Sequence, residues 1–187
     1  MKRLLDIIAS LVALIFLLIP MIIIGLIIKL DSKGPILFKQ QRVGRNKELF
    51  NIYKFRTMRT DTPNVSTEEL GDPSIYITKV GKFLRKTSLD ELPQLINILK
   101  GNMSIVGPRP ALYNQYDLIA MREVFNVNSI RPGLTGYAQV RGRDFISDEE
   151  KVKFDEFYLK NQSLVLDLKI IMWTFITVIK SEGVRLQ

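Results

Sequence analysis

The chain has 187 residues, of which 47% are hydrophobic, so it is long enough for one packed domain with an appendage. It contains neither histidine nor cysteine, which excludes disulfide bonds, structural zinc sites and catalysis by imidazole or thiolate, and which suits a reducing compartment. Lysine and arginine outnumber aspartate and glutamate by 27 to 19, and the formal charge of +8 suits a phosphate-rich partner such as nucleic acid, anionic lipid or a nucleotide.

The first predicted element is a long apolar segment. Residues 7–28 carry no charge, and this stretch is long enough to cross a bilayer, which takes about 20 apolar residues. A removable signal peptide is disfavoured, because its apolar core spans only about 7–15 residues and precedes a small-residue cleavage site that is missing here.

Two features argue against an ordinary membrane span. Basic residues flank both ends of the apolar segment, whereas a spanning helix keeps its basic flank on the cytoplasmic side. Pro20 lies near the middle, where proline removes a backbone hydrogen bond and kinks a helix. We therefore favour a re-entrant membrane helix over residues 1–30 that enters and leaves by the cytoplasmic face, with a through-span as the alternative.

The sequence changes character after this segment. Residues 35–58 contain two short runs of β-branched and aromatic residues around a turn-like segment at 44–47, which predicts a β-hairpin. Residues 59–75 are polar and contain two prolines and a glycine, which predicts a mobile loop. Because no linker divides the remainder, residues 31–187 are predicted to form one cytosolic catalytic domain.

The next predicted element is a short helix that ends at Gly101. Four aliphatic residues between positions 92 and 99 fall on one helical face, and glycine is typical of a helix end. The prediction places Asp90 at the N-cap and Pro93 at the third helical position, where its missing N–H removes no internal bond. Asp90 and Glu91 are therefore typical of plain helix capping, which competes with any catalytic interpretation.

Arginines on rigid backbone surround this helix start in the sequence. Arg85 shortly precedes Asp90, and arginine stands beside proline or glycine in the segments 107–110, 131–133 and 141–143. A helix N-terminus binds phosphate through free N–H groups, and the planar guanidinium fits phosphate oxygens. The pattern predicts a phosphate-rich site at the two carboxylates.

The last predicted element is a helix over residues 164–180 with Trp173 at its centre. Its uncharged part, residues 170–179, is too short to span a membrane. The tryptophan and the flanking lysines suit a helix that lies at the headgroup boundary, and a buried core helix is the alternative.

Taken together, these segments resemble the bacterial sugar transferase family, the small monotopic polyprenol-phosphate phosphoglycosyl transferases. The resemblance covers essentially the whole chain, and several long motifs in one order make it specific. The motifs are KFRTM (54–58), TSLDELPQL (87–95), MSIVGPRP (103–110), RPGLTG (131–136) and DEFY (155–158). Relatives often carry Ser-Pro at the membrane kink, where this chain has Ile19-Pro20, so a serine hydroxyl cannot help to bend this helix.

The resemblance implies a mainly helical α+β fold. A re-entrant membrane helix kinked at Pro20, a small β-hairpin and amphipathic interfacial helices would surround a compact cytosolic catalytic core. It also implies a monotopic protein at the cytosolic face of the inner, cytoplasmic membrane, in contact with membrane lipid and not with nucleic acid.

The implied reaction takes place at an Asp-Glu dyad. Asp90 would attack the β-phosphorus of a UDP-sugar and expel UMP, and the covalent sugar phosphate would pass to a polyprenol phosphate such as undecaprenyl phosphate. This is the first membrane step of bacterial glycoconjugate synthesis. Asp90 and Glu91 would also bind Mg²⁺. The residues implied to hold substrate phosphate are Lys54, Arg85, Arg109 and Arg143.

Magnesium suits this composition, because it prefers carboxylate and phosphate oxygens and needs neither histidine nor cysteine. Two other functions stay open at this point. One is a membrane-tethered basic module that captures anionic lipid or nucleic acid, and the other is a metal-dependent glycosyltransferase that moves only the sugar and releases UDP. The sugar, and the role of Glu91 as metal partner or proton acceptor, also stay open.

Overall fold

A computed structural model describes residues 1–63, 72–142 and 146–180. The described residues form seven α-helices and two small two-stranded sheets, which confirms the predicted mainly helical α+β fold. The helices are α1 (Lys2–Asp31), α2 (Lys79–Thr87), α3 (Gln94–Lys100), α4 (Tyr116–Val124), α5 (Tyr137–Arg141), α6 (Asp148–Lys160) and α7 (Leu164–Lys180). The strands are β1 (Leu37–Val43), β2 (Leu49–Phe55), β3 (Ser104–Val106) and β4 (Gly133–Thr135).

Helix α1 is a single helix of 30 residues that continues through Pro20. One face packs on the domain, where Ala13, Leu14 and Leu17 contact a buried cluster that includes Ile98. By length and composition α1 is able to cross a membrane. Its re-entrant course stays a prediction.

The other face of α1 is a long exposed apolar surface. Its exposed large side chains are Leu4, Leu5, Ile8, Leu11, Val12, Ile15, Phe16, Leu18, Ile19, Ile22, Ile23, Leu26, Ile27 and Leu30. A contiguous apolar patch of this kind marks a membrane or protein contact, since water solvates it poorly. The surface therefore fits insertion into lipid.

Polar contacts tie both ends of α1 to the rest of the chain. Near its start, Arg3 donates to the carbonyl of Ile98 at 2.7 Å. At its other end, the buried guanidinium of Arg56 donates to the carbonyl of Ser32 at 2.7 Å and to that of Ile28 at 3.5 Å. Because a helix of this length is about 45 Å long, the domain follows α1 along most of its length and does not hang from one end.

The predicted β-hairpin within residues 35–58 is confirmed. Strands β1 and β2 pair antiparallel along their whole lengths, and a 3-10 turn over Arg45–Lys47 joins them. The predicted mobile loop over residues 59–75 includes residues 64–71, which lie outside the described residues.

The start of α3 differs from the prediction. Ser88, with φ 57°, ends α2, and Asp90 then lies in a 3-10 turn over Leu89–Glu91 and not at the cap of α3. Pro93 occupies the N-cap position and not the third helical position. The leucines on both sides of Asp90 pack into a buried cluster shared with α1 and β2, which favours the extra turn. Gly101, with φ 91°, ends α3 as predicted.

Helix α7 spans Leu164–Lys180, as predicted. One side is buried at Ile170, and the other side exposes Leu168, Met172 and Phe175. The sequence left two alternatives for this helix, a surface position and a buried position. One face of the helix is exposed and the other face is buried. Its position at a membrane surface stays a prediction.

Strands β3 and β4 run parallel and bring two of the arginine-containing segments together. A Cβ atom on Gly107 would lie 2.5 Å from the carbonyl oxygen of Arg131 and 2.9 Å from the nitrogen of Gly133. Glycine is needed there because the two backbones touch. This contact fixes the 107–110 loop beside the segment that leads into β4.

Candidate active site

The turn that carries Asp90 and Glu91 meets cations from two other elements. Asp90 is 9% exposed. The Glu91 Oε1 atom accepts a hydrogen bond from Lys54 Nζ at 2.7 Å, and Arg109 Nη2 donates to the same oxygen at 3.3 Å. Lys54 comes from β2 and Arg109 from the loop after β3. The fold thus brings the dyad together with two of the residues predicted to bind phosphate.

The charge state of Asp90 depends on burial and on four neighbours. Burial raises the pKa of Asp90 to about 6, and the charge of Lys54 is the strongest opposing effect. Glu91 raises the pKa further, whereas Arg85 and Arg109 lower it. The three cations therefore favour the ionised carboxylate of Asp90, and burial and Glu91 oppose it. Arg85, at the end of α2, is a third predicted phosphate-binding residue whose charge acts at the dyad.

Arg42 belongs to this group, although the sequence analysis did not identify it as a site residue. Its Nη1 donates to the Pro110 carbonyl at 3.1 Å and its Nη2 donates to Gln40 Oε1 at 2.7 Å. Burial, followed by the charge of Arg109, lowers the pKa of Arg42 to about 9, while Glu91 raises it. Arg42 is therefore still cationic at pH 7.

The hairpin register places Arg42 on the same face as Lys54. Gln40 and Arg42 are two positions apart on β1, so they lie on one face of the hairpin. Lys54 pairs with Phe38, which lies on that same face. The opposite face of the hairpin carries polar residues as well, among them Lys39, Gln41 and Asn51, so the register alone does not single out Arg42.

The backbone of Arg109 is held by a buried ion pair. Arg122 Nη1 donates to the Arg109 carbonyl at 2.9 Å, and its Nε and Nη2 donate to Asp155 Oδ2 at 3.0 and 2.6 Å. Burial raises the pKa of Asp155, and the charge of Arg122 opposes this effect. The pair joins α4 to α6 and orients the Arg109 loop through its main chain. Asp155 is the first residue of the DEFY motif, but no sequence pattern indicates that it pairs with Arg122.

The arginines of the other two predicted segments make different contacts. Arg131 Nε donates to the Gly101 carbonyl at 2.9 Å, at the end of α3. The Arg141 guanidinium lies 5.0 Å from the ring centre of Tyr137 and 5.3 Å from that of Trp173. Among the described residues, segment 107–110 is the arginine-containing segment that contacts the dyad, through Arg109 and Glu91.

Two further predicted residues remain. Arg143 lies outside the described residues, so its predicted phosphate contact stays a prediction. Pro20 lies on the exposed side of α1. Its predicted role concerns the membrane helix and not the chemistry.

The donor atoms at the dyad fit Mg²⁺ in part. Within residues 1–63, 72–142 and 146–180, no three acidic side chains form a closed metal site. Mg²⁺ does not need one, because it keeps several waters and often takes one or two carboxylates together with substrate phosphates. Asp90 and Glu91 supply such an oxygen-only pair, and a cation beside the buried Asp90 would favour its ionised form.

Comparisons with known proteins agree with the motifs. The sequence profile described as "Bacterial sugar transferase" matches residues 1–181. A relative described as "Uncharacterized sugar transferase EpsL", from Bacillus subtilis, is 40% identical over 99% of this chain and 90% of its own length.

Two relatives with described activities are longer. "UDP-glucose:undecaprenyl-phosphate glucose-1-phosphate transferase" from Klebsiella pneumoniae is 39% identical over 96% of this chain and 39% of its own length. "Undecaprenyl-phosphate galactose phosphotransferase" from Salmonella typhimurium is 38% identical over 98% of this chain and 41% of its own length. The chain thus matches less than half of each of these two proteins. With its motifs, its site and a profile match over almost every residue, the chain belongs to the bacterial sugar transferase family.

Proposed function

We propose that this chain moves a sugar-1-phosphate from a UDP-sugar to undecaprenyl phosphate or a similar polyprenol phosphate and releases UMP. The observation that carries the proposal is the buried Asp90 next to Glu91, which Lys54 and Arg109 contact. The name of the Klebsiella relative gives UDP-glucose as donor and undecaprenyl phosphate as acceptor, which supports the substrate classes.

The first half-reaction forms a covalent intermediate. A carboxylate oxygen of Asp90 bonds to the β-phosphorus of the donor, and the bond between that phosphorus and the bridging oxygen breaks. UMP leaves with the electron pair of the broken bond, and the sugar phosphate stays on Asp90 as an acyl phosphate. A carboxylate nucleophile divides one difficult transfer into two steps.

The second half-reaction restores the carboxylate. A phosphate oxygen of the polyprenol phosphate bonds to the same phosphorus, and the bond to Asp90 breaks. The product is a polyprenyl diphosphate-sugar. No proton has to be removed from the nucleophile in either step, because an ionised carboxylate and an ionised phosphate attack in turn. The absence of histidine from the sequence is therefore no obstacle.

The surrounding residues make the approach of two anions feasible. Lys54 and Arg109 form ion pairs with Glu91. Both cations would also attract the negative charge of a bound diphosphate. Arg85 lowers the pKa of Asp90 and so favours its ionised form. Asp90 and Glu91 would hold Mg²⁺, and the bound ion would neutralise negative charge on the diphosphate oxygens.

We also propose that the protein is monotopic and lies at the cytosolic face of the cytoplasmic membrane. The exposed apolar face of α1 would lie in lipid, and both ends of α1 are tied to one domain by Arg3 and Arg56. A domain with so many charged side chains cannot follow the helix across hydrocarbon. The helix would therefore enter and leave by the same face.

Labelling with a membrane-impermeant maleimide tests this topology, because the sequence contains no cysteine of its own. One variant carries a cysteine added before Met1, and a second carries Lys33→Cys at an exposed position after α1. We expect both to react only after the cells are opened. Labelling of the N-terminal cysteine in intact cells would contradict the monotopic proposal.

The reaction is tested by nucleotide release from the purified chain in nanodiscs. The assay supplies Mg²⁺, undecaprenyl phosphate and, in turn, UDP-glucose, UDP-galactose and UDP-N-acetylgalactosamine. We expect UMP from at least one donor, and we expect its loss in Asp90→Asn. Asp61→Asn is the matched control, because Asp61 is an exposed carboxylate paired with Arg59. Release of UDP would identify a glycosyltransferase, and lipid binding without nucleotide release would identify a binding module.

Trapping tests the intermediate directly. Donor labelled in its β-phosphate is added without acceptor, and the protein is analysed for a covalent adduct that hydroxylamine removes. We expect the label on the peptide that contains Asp90. An active preparation whose label never appears at that position would overturn the two-step mechanism.

A further inference from the structure

Asp6 is a charged residue buried at the start of the apolar helix α1. It is 5% exposed. Its Oδ2 accepts a hydrogen bond from Ser104 Oγ at 2.8 Å, and its Oδ1 accepts one from the backbone N–H of Ile105 at 3.1 Å. Burial of a carboxylate is unfavourable unless its oxygens are hydrogen-bonded. The two bonds therefore fix where α1 lies on β3.

The pairing of β3 explains why a carboxylate fits there. Ser104 and Val106 pair with β4, so the N–H of Ile105, between them, points to the other edge of this two-stranded sheet. An open edge leaves backbone groups without partners. Asp6 occupies that edge and takes the place that a third strand would have.

A second chain of contacts runs from the same helix to the same strand. Lys2 Nζ lies 2.5 Å from Asp167 Oδ2, and the Tyr158 hydroxyl donates to the other oxygen of Asp167 at 2.7 Å. The Tyr158 hydroxyl also lies 3.2 Å from the Val106 carbonyl oxygen. This second attachment of α1 runs through α7 and α6 and does not involve Asp6. We therefore expect the helix to stay docked when Asp6 alone is lost.

Strand β3 leads directly into the loop that carries Arg109. The N–H of Gly107 donates to the Thr135 carbonyl at 2.9 Å. Further along, the Arg109 carbonyl accepts from Arg122 and the Pro110 carbonyl accepts from Arg42. The Pro108 carbonyl accepts a hydrogen bond from the N–H of Gly133 at 2.8 Å. The far end of the loop is therefore held by side chains, and its near end moves with the paired strands β3 and β4.

We propose that Asp6 is a positioning residue for the transfer reaction. Its two hydrogen bonds fix the edge of β3, and β3 in turn places Arg109 against Glu91 and the donor phosphate. The inference rests on the proposed function, because it takes Arg109 as part of the active site. Since Asp6 belongs to α1, the position of the membrane helix on the domain sets the geometry at the dyad.

Three single variants in nanodiscs test the first part, with UMP release as the assay. Asp6→Ala removes both bonds, and we expect kcat to fall about 10- to 100-fold with little change in KM, as for other residues that position an active group. Asp6→Asn keeps an oxygen for Ile105 and gains an N–H for Ser104, so we expect kcat near the wild-type value. Ser10→Ala is the control, because Ser10 is a buried polar residue one turn along α1 whose hydroxyl has no partner within the described parts of the chain.

A double-mutant cycle with Arg109→Ala separates positioning from a general loss of structure. If Asp6 acts through Arg109, the double variant should be no slower than Arg109→Ala alone. If the fold-losses in kcat of the two single variants multiply in the double variant, the proposal is overturned. An Asp6→Asn variant as slow as Asp6→Ala would overturn it as well. If the wild-type chain releases no UMP from any donor, the proposed function itself fails, and with it the inference. That result differs from an active wild type whose Asp6→Ala variant keeps full kcat, which overturns the inference alone.

Discussion

Two acid–base clusters meet at Arg109, and they differ in their balance of charge. In the first, Arg122 binds Asp155 at 2.6 Å, and the nearby Lys151 is itself paired with Asp148 at 2.7 Å. Among the described residues, cations and carboxylates there are equal in number. In the same parts of the chain, the second cluster has four cations close to the two carboxylates of the dyad. These cations are Arg42, Lys54, Arg85 and Arg109.

The difference shows that burial alone does not identify the active site. Burial raises the pKa of both Asp90 and Asp155, so that feature is shared by the site and by a structural ion pair. Among the described residues, the dyad differs in having more cations than carboxylates close to it. Such a positively charged environment suits a ligand with several negative charges, and a nucleotide diphosphate is such a ligand.

The largest expected effect follows from replacing Asp90, the buried carboxylate of the dyad. Asp90→Asn should lower the rate of UMP release by at least roughly 10³-fold, as removal of a nucleophile does in other enzymes. The unfolding temperature should stay the same or rise, because an amide is easier to bury than a carboxylate. Nucleotide release and thermal unfolding of one preparation give both values. A variant that loses activity only in proportion to its folded fraction would refute the assignment.

The balanced cluster should behave in the opposite way. Asp155→Asn leaves the Arg122 guanidinium buried without its counter-ion, and we expect a loss of about 3–5 kcal/mol in the free energy of unfolding. Urea unfolding in detergent micelles measures this loss. Glu123→Gln is the control, because it removes one partner of the exposed Lys47–Glu123 pair and should change stability little. Equal stability of Asp155→Asn and wild type would mean that the ion pair does not hold α4 to α6.

The third prediction concerns the loop between the clusters. Gly107→Ala would place a methyl group 2.5 Å from the Arg131 carbonyl oxygen, so the backbone must move, at about 1–3 kcal/mol of stability. UMP release per folded molecule should fall as well, because Arg109 moves with the loop. In Gly25→Ala, by contrast, the new Cβ lies 3.2 Å from a side-chain methyl of Ile36 and meets no backbone atom outside its own helix, so we expect a smaller loss of stability. An active and stable Gly107→Ala variant would show that the two backbones need not touch.

The sequence predicted elements whose signals are local. Alternating residues and a turn located the hairpin, and the limits of α7 and the end of α3 at Gly101 follow from apolar periodicity and from glycine. Motif resemblance placed Lys54, Arg85 and Arg109 with the dyad, because the motif carries long-range information that periodicity does not.

Long-range packing decided the features that local signals could not predict. The turn that holds Asp90 depends on leucines packing into a cluster shared with α1 and β2. The Asp6 and Asp155 contacts join residues distant in sequence, with separations of 98 and 33 positions. Side-chain direction is also tertiary information, which is why Arg131 points to the end of α3 although its motif resembles that of Arg109.

The smallest expected effect tests whether Arg42, on the hairpin, belongs with the cations at the dyad. Arg42→Lys keeps the charge but cannot donate to the Pro110 carbonyl and to Gln40 in the geometry of a guanidinium. We expect kcat/KM for the donor to fall roughly tenfold, the size of one hydrogen bond to a charged group, with unfolding almost unchanged. Arg45→Lys is the control, since Arg45 is exposed and donates to the Ser129 carbonyl. If Arg42→Lys lowered stability as Asp155→Asn should, Arg42 would belong with the balanced structural cluster and not with the cations at the dyad.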